Sequence, residues 1–212
     1  GHFATGPTHI DDLVESVRAL TPAGTWASRR LPGSGAGPSP DRWLLGSEGI
    51  LGVITEAWVR VQPRPRHRAS RAVRLRSLEL GAEAVRAIVQ AGLRPASCRL
   101  VDAAEAAFSG AGDGRHALLV LGFESVDAPV DGLLARGLEL CAEAGGTWDE
   151  PAGAGHREGA AGAWREAFLR APYLRDVLVM LGVLTETFET AVTWERLPAL
   201  HAAVLDAARG AL

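Results

Sequence analysis

Lysine and asparagine are absent from these 212 residues, so arginine supplies all 22 basic side chains. Both missing residues have AT-rich codons, and their absence predicts a GC-rich, bacterial gene. Methionine and tyrosine occur once each, at Met180 and Tyr173. Cysteine occurs twice, at Cys98 and Cys141, far apart and without CxxC spacing. Two such residues cannot build a disulfide framework, and they predict free buried thiols in a reducing cytoplasm. No run reaches the ~18 apolar residues that a membrane span needs, and no signal-peptide pattern opens the chain. The formal charge of −3 excludes the strongly basic balance of a dedicated nucleic-acid binder. What remains is a chain that is 47% hydrophobic and 22% charged, long enough for one large or two small domains with a real core.

The first stretch has hairpin chemistry. Asp12 to Leu20 and Thr25 to Arg30 flank Thr21-Pro22-Ala23-Gly24, where Pro presets φ and Gly permits a positive one. Pro32 to Pro38 follows as a Gly- and Ser-rich flexible segment. Ser39-Pro40-Asp41 predicts a helix start, with Ser39 as cap and Pro40 in the first turn, and Gly46 ends that helix. From Gly52 the pattern alternates, placing Val53, Thr55, Ala57, Val59 and Val61 on one face of a strand. Pro63 and Pro65 stop it, and residues 63–68 form the expected domain boundary.

Beyond the boundary, strands and helices alternate. Strands are predicted over Ser70–Arg76, Ser97–Asp102, His116–Glu124 and Leu184–Ala191. Ala117 to Leu121 is a continuous apolar run, as a strand buried on both faces requires. Helices are predicted over Leu80–Ala91 (Val85, Ile88 and Val89 on one stripe), Val130–Cys141, Gly159–Leu169 and Leu197–Ala208. Leu133, Leu134 and Leu138 recur at helical spacing on the second of these, which Gly145-Gly146 closes. The fold class is α+β, with an antiparallel sheet and helices on one face of it.

Gly46-Ser47-Glu48-Gly49-Ile50-Leu51-Gly52-Val53-Ile54 is the most informative segment. Its glycines let backbone approach a ligand and aim N–H groups at it, and a plain tight connection is the alternative reading. No Walker loop is present, since Gly-Lys-Ser/Thr is lacking, and the spacing is not that of a Rossmann fingerprint. The arginines at 60, 64, 66, 68, 71, 74 and 76 have no aromatic interleaving, which favours a solvated strand edge over a nucleic-acid contact. Six scattered histidines offer no metal-ligand spacing. Trp164, Phe168 and Tyr173 are assigned to packing, and Glu186 and Glu189 to solvent.

Gly46 to Arg64, GSEGILGVITEAWVRVQPR, resembles the second FAD-binding segment of the vanillyl-alcohol oxidase / p-cresol methylhydroxylase flavoprotein family. Ile10 to Val14 and the Thr21–Gly24 turn are similar to that family's hairpin. PASCRLVD at 95–102, APYLRD at 171–176 and ETFETAVTW at 186–194 narrow the likeness to the alkylglycerone-phosphate synthase-like branch. The resemblance implies that residues 1–65 are the C-terminal part of an FAD-binding domain. It implies that residues 66–212 are a cap or substrate domain, incomplete at its C-terminus. FAD would be lined by Glu48, Gly49, Ile50, Leu51, Gly52, Val53 and Ile54, with Ala4 and Thr5 nearby in an earlier loop. Arg99 and Arg175 match cap arginines that bind an anionic substrate, a role that suits the guanidinium fork. A plain salt bridge is the competing reading for each.

The family's Pro-Gly-Gly-Gly-Thr-Ser loop and its catalytic Tyr and His residues match nothing within residues 1–212. The Gly6-Pro7-Thr8-His9 loop also departs from the pattern. The expectation is therefore a central piece of a longer flavoprotein, with no catalytic residue of its own and no activity in isolation. Its parent would be a cytoplasmic FAD-dependent oxidoreductase or synthase acting on a small phosphate or carboxylate substrate, with a homodimer as the assembly the resemblance suggests. A D-lactate- or glycolate-type 2-hydroxy acid dehydrogenase is the alternative, and a ligand-free structural or interaction module is the alternative of another class.

Overall fold

The computed structural model describes residues 9–30, 37–149, 159–185 and 187–211. The chain divides into two compact units, Gly1–Arg66 and His67–Leu212.

In the first unit, a helical turn α1 (Ile10–Leu13) leads into β1 (Val14–Thr21), β2 (Gly24–Ala27), a helical turn α2 (Asp41–Leu44) and β3 (Val53–Val59). The three strands form an antiparallel sheet in the order β2-β1-β3. The expected hairpin is present. Gly24 has φ +119°, and the Thr21 hydroxyl accepts the Ala23 N–H (3.3 Å) while donating to the Gly24 carbonyl (2.9 Å). Asp12 and Leu13 belong to the helical turn and not to the strand, because Asp12 N–H closes onto the His9 carbonyl. Pro40, not Ser39, occupies the cap of α2, and no side chain caps it.

The core of this unit is small: Val14, Val17, Ala19 and Leu44, with Trp26 and Leu45 packed against them. Central β1 supplies most of it. The face proposed for β3 is not buried; Val53, Thr55, Ala57, Val59 and Val61 are all exposed, and only Trp58, of the opposite parity, is half covered. Alternation located the strand, but among the described residues of this unit none covers that face.

The second unit runs β4 (His67–Leu75), α3 (Leu78–Gln90), β5 (Ser97–Val101), α4 (Ala103–Phe108), β6 (Ala117–Ser125), α5 (Asp131–Glu143), α6 (Gly159–Met180), a 3-10 turn (Trp194–Arg196) and α7 (Leu197–Ala211). The sheet order is β4-β6-β5, antiparallel throughout, in register from His67↔Ser125 to Leu75↔Ala117 and from Ser97↔Gly122 to Val101↔Leu118. Thr147 bridges back to Arg74 on the outer edge of β4. The β-α-β-β-α order followed by that bridge is the split βαβ pattern of ferredoxin-like units.

β6 is central and buried from Ala117 to Phe123, as its apolar run requires. Its residues alternate between two cores. Leu119, Leu121 and Phe123 point to a core with Val73, Leu75, Ala84, Ile88, Leu134, Leu138 and Cys141. Leu118 and Val120 point to the other, with Val101, Ala106, Ala111 and Trp164. Helices therefore cover both faces, α3 and α5 on one, α4 and α6 on the other, in place of the single covered face expected. Each fully buried Leu or Phe contributes about 1.5–3 kcal/mol by leaving water.

Four local readings are corrected. Val89 and Leu133 sit on their helices' exposed flanks (51% and 45% exposed), while Gly81, Ala84 and Ile88, and Leu134, Leu138 and Cys141, make the buried stripes. α6 continues through Pro172 to Met180, where a stop at Leu169 was expected. Proline deletes one ladder bond, and the surrounding Ala, Leu and Arg are good helix formers that carry the helix on. The described residues of Leu184–Ala191 form no strand, since strand propensity depends on packing against neighbours more than on the residues themselves. Helix α4 was not foreseen. Asp102-Ala-Ala-Glu105 is its start signal, with the Asp102 carboxylate accepting the Glu105 N–H at 2.8 Å.

Candidate functional site

The Gly46–Ile54 segment forms a chain of turns between α2 and β3. Gly46, Gly49 and Gly52 have φ of +77°, +89° and +157°, and Glu48 joins them at +49°. A left-handed non-glycine residue costs backbone strain and is found where a ligand or a tight turn fixes the chain. Around Gly46 and Gly49 the space that a Cβ would enter is open, whereas at Gly52 a Cβ would lie 2.6 Å from the Leu20 carbonyl oxygen. Gly52 thus serves the packing of the turn on β1, and Gly46 and Gly49 leave backbone open to an approaching group. Ile50 (85% exposed), Leu51, Val53 and Ile54 present apolar side chains along the same run. An exposed apolar strip beside open glycine backbone fits a flat, aromatic cofactor held through main-chain groups. Ala4 and Thr5 lie outside the described residues.

Arg99 stands on β5 on the face that packs against α4 and α6. Its guanidinium carbon sits 5.5 Å from the Trp164 ring centroid, a cation–π stack, and Nη2 lies 3.9 Å from Glu105 Oε1. The Trp164 indole N–H reaches the same Glu105 oxygen at 3.5 Å. Trp164 is buried and stacks on Phe168 with centroids 5.5 Å apart, so both aromatics pack as expected. Tyr173 does not, being 73% exposed.

Arg175 is exposed, on the second half of α6. Eleven residues separate it from Trp164, roughly 16 Å of helix axis and close to the same face. Arg99, held at Trp164, and Arg175 are thus placed along one side of α6, not on a single small group. Glu189 is exposed, and Glu186 lies outside the described residues.

Of the arginine series, Arg68, Arg71 and Arg74 lie on β4, an edge strand. Arg68 pairs with Glu124 at 3.3 Å, and Arg74 with Asp149 at 2.7 Å. Among the described residues no cluster of His, Cys, Asp or Glu could hold a metal, and no helix is long and apolar enough to cross a membrane.

Sequence reasoning missed two features. One is the Glu105–Trp164 pair around Arg99, whose only local signal is the Asp-x-x-Glu helix start. The other is a cavity of about 680 Å³ in the second unit, between α3, β5 and the start of α7. Glu79, Glu83, Arg86, Cys98, Trp194 and His201 contribute to its wall, and no predicted site residue does.

Residues 64–211 match the family described as FAD linked oxidases, C-terminal domain. The chain belongs to this family. Within it, the alkyldihydroxyacetonephosphate synthase of Dictyostelium discoideum is 43% identical over 65 residues, covering 31% of this chain and 11% of that protein. The synthase of Caenorhabditis elegans is 30% identical over 95 residues (44% and 16%). The Uncharacterized FAD-linked oxidoreductase YgcU of Escherichia coli K12 is 30% identical over 125 residues (57% and 26%). A solved alkyldihydroxyacetonephosphate synthase superposes with a TM-score of 0.69 at 25% identity, over 90% of this chain and 39% of its own. The chain thus spans about a tenth to a quarter of these curated relatives, and its likeness to the synthase-like branch of the FAD-linked oxidases extends over both sequence and fold.

Proposed function

We propose that this chain is part of an FAD-dependent enzyme that acts on a small anionic substrate, in the manner of an alkylglycerone-phosphate synthase or an FAD-linked oxidoreductase. The observation that carries the reading is the Gly46–Ile54 turn, with open left-handed backbone beside exposed apolar side chains. Glu48 to Ile54 would hold FAD largely through main-chain groups, with Ala4 and Thr5 contributing from the earlier loop. When bound, FAD supplies the electrophilic and redox chemistry of its isoalloxazine ring. Arg99 would hold the phosphate or carboxylate of the substrate, and Arg175 would add a second positive charge further along α6. No residue of this chain is assigned a proton-transfer role.

A D-lactate- or glycolate-type 2-hydroxy acid dehydrogenase is the second reading, and the likeness to an uncharacterized FAD-linked oxidoreductase of E. coli supports only its redox part. The free thiols favour a reducing cytoplasm, the lysine- and asparagine-free composition favours a bacterial source, and a homodimer is the assembly proposed.

The test is the visible absorption spectrum of the full-length protein, recorded before and after denaturation. The two bands of an oxidised flavin are expected, and their release or retention settles attachment. Assay on acyl-dihydroxyacetone phosphate and on 2-hydroxy acids then separates the two chemistries. A folded, colourless full-length protein would overturn the proposal in favour of a ligand-free module.

A further inference from the structure

Glu105 and Trp164, 59 residues apart, both converge on Arg99. Helix α4 is capped by Asp102, which fixes the first turn and places Glu105 beside β5. One oxygen of Glu105 lies 3.9 Å from Arg99 Nη2 and 3.5 Å from the Trp164 indole N–H. The guanidinium carbon in turn lies over the indole ring, 5.5 Å from its centroid.

The two contacts differ in kind. Trp164 is 2% exposed, so its ring is a fixed, dry floor. A contact with the ring face uses none of the guanidinium's N–H donors, which lie in its own plane. The side chains of Arg99 and Glu105 are 32% and 46% exposed, within reach of a solute. A separation of 3.9 Å is too long for a hydrogen bond, and an ion pair half in water is weak. A phosphate or carboxylate making short, charge-assisted bonds in the plane of the fork would outcompete it. On leaving Arg99, the Glu105 carboxylate keeps its indole donor, so the displaced charge is not stranded.

We propose that Glu105 is a resident counter-ion of Arg99 and yields its place to the anionic group of the substrate, while Trp164 holds the guanidinium in position during the exchange. This rests on the reading of Arg99 as a substrate contact. Glu105 and Trp164 are positioning residues, and the ligand chemistry is that of a phosphate or carboxylate group.

The experiment uses the full-length, FAD-loaded protein and measures binding of dihydroxyacetone phosphate and of D-lactate by calorimetry, with thermal melting to confirm that each variant folds. Glu105→Gln keeps the indole contact and removes the competing charge, so it tightens binding of the recognised probe about threefold, the scale of a half-exposed ion pair. Glu105→Asp keeps the charge and stays near the wild-type affinity. Arg99→Ala loses binding. A merely structural Glu105 would give weaker or unchanged binding in the Gln variant, which overturns the counter-ion role while Arg99→Ala still supports the substrate reading. Wild-type affinity in Arg99→Ala, or no binding of either probe by the wild type, removes the substrate reading and the proposal with it. A response to the phosphate alone or to the carboxylate alone supports the proposal and identifies the group recognised.

Discussion

Arg74 and Asp149 form a two-pronged pair, Nη1 to Oδ2 at 2.7 Å and Nη2 to Oδ1 at 2.9 Å. It sits beside the backbone bridge between Arg74 and Thr147, where N–H and carbonyl groups exchange bonds at 2.7 and 2.9 Å. Together they tie the chain leaving α5 to the outer edge of β4. The guanidinium bonds hold the Asp149 carboxyl below the usual aspartate range. A carboxyl depressed in the folded state stabilises the fold above its ordinary value, and the effect disappears as pH falls through the lowered one. Asp149→Asn should therefore speed amide exchange at Thr147 at neutral pH and cease to matter in strong acid. Equal exchange rates in wild type and variant at pH 7 would show the pair to be idle.

Asp113 offers a second acid-sensitive contact. Its carboxylate accepts the Arg115 N–H (2.9 Å), the His116 N–H (3.1 Å) and a bond from His116 Nδ1 (2.8 Å). The Arg115 amide is the main cause, with the His116 ring next, of a pKa lowered to about 2. The contribution to the turn before β6 is present above the ordinary aspartate value and is lost only as pH approaches 2. A carboxyl-carbon NMR titration should place the midpoint there, and Asp113→Ala should loosen the Arg115 and His116 amides. A midpoint near 3.9, the ordinary aspartate value, would count against this.

Gly146 is closed in on two sides. A Cβ there would lie 2.8 Å from the Cys141 carbonyl oxygen and 2.8 Å from a Val73 methyl, and the former is backbone that cannot swing aside. Gly146→Ala should cost roughly 1–3 kcal/mol by overpacking. Gly132, on α5 with open space around it, is the control, and its Ala variant should gain roughly 0.5–1 kcal/mol through helix propensity. Urea unfolding of both variants checks the opposite signs.

Burial pushes the Cys98 thiol up to about 11 and the Cys141 thiol up to about 12. Since the thiolate is the nucleophile, both should react slowly with a thiol reagent at pH 8 and promptly in guanidinium. Rapid labelling of one thiol in the native chain would locate an opening near β5 or α5.

Where the sequence carried a periodic signal with a partner on both sides, it was readable. The Ala117–Leu121 run announced a strand buried on both faces, and Pro22-Gly24 announced the hairpin. It was unreadable where the outcome depends on a neighbour remote in sequence. Residues 184–191 have strand composition, yet their described residues form no strand, and α6 tolerates Pro172 because its flanks are good helix formers. The Ala117–Leu121 run already implied coverage of both sheet faces, since β6 alternates between two cores, and the expectation of helices on one face alone conflicted with it. For the candidate site, the left-handed turns at Gly46, Gly49 and Gly52 were legible from the glycines themselves. The Glu105–Trp164 setting of Arg99 was not, because 59 residues separate the two partners.

The central place of β6 also dictates an order of events at the ribosome. β4, α3, β5 and α4 are all synthesised before the one strand that lies between β4 and β5. A nascent chain stopped at Gly114 holds two strands with no common neighbour, and Val73, Leu75 and Leu100 have no sheet to join. The first unit has all three of its strands by then, so its sheet can close while the second still waits. Unpaired edges and uncovered apolar residues are the features that make emerging chains aggregate. Delivery of Ala117–Ser125 is therefore the step of translation at which the second unit's sheet can close, with α5 and α6 still to come to complete its two cores.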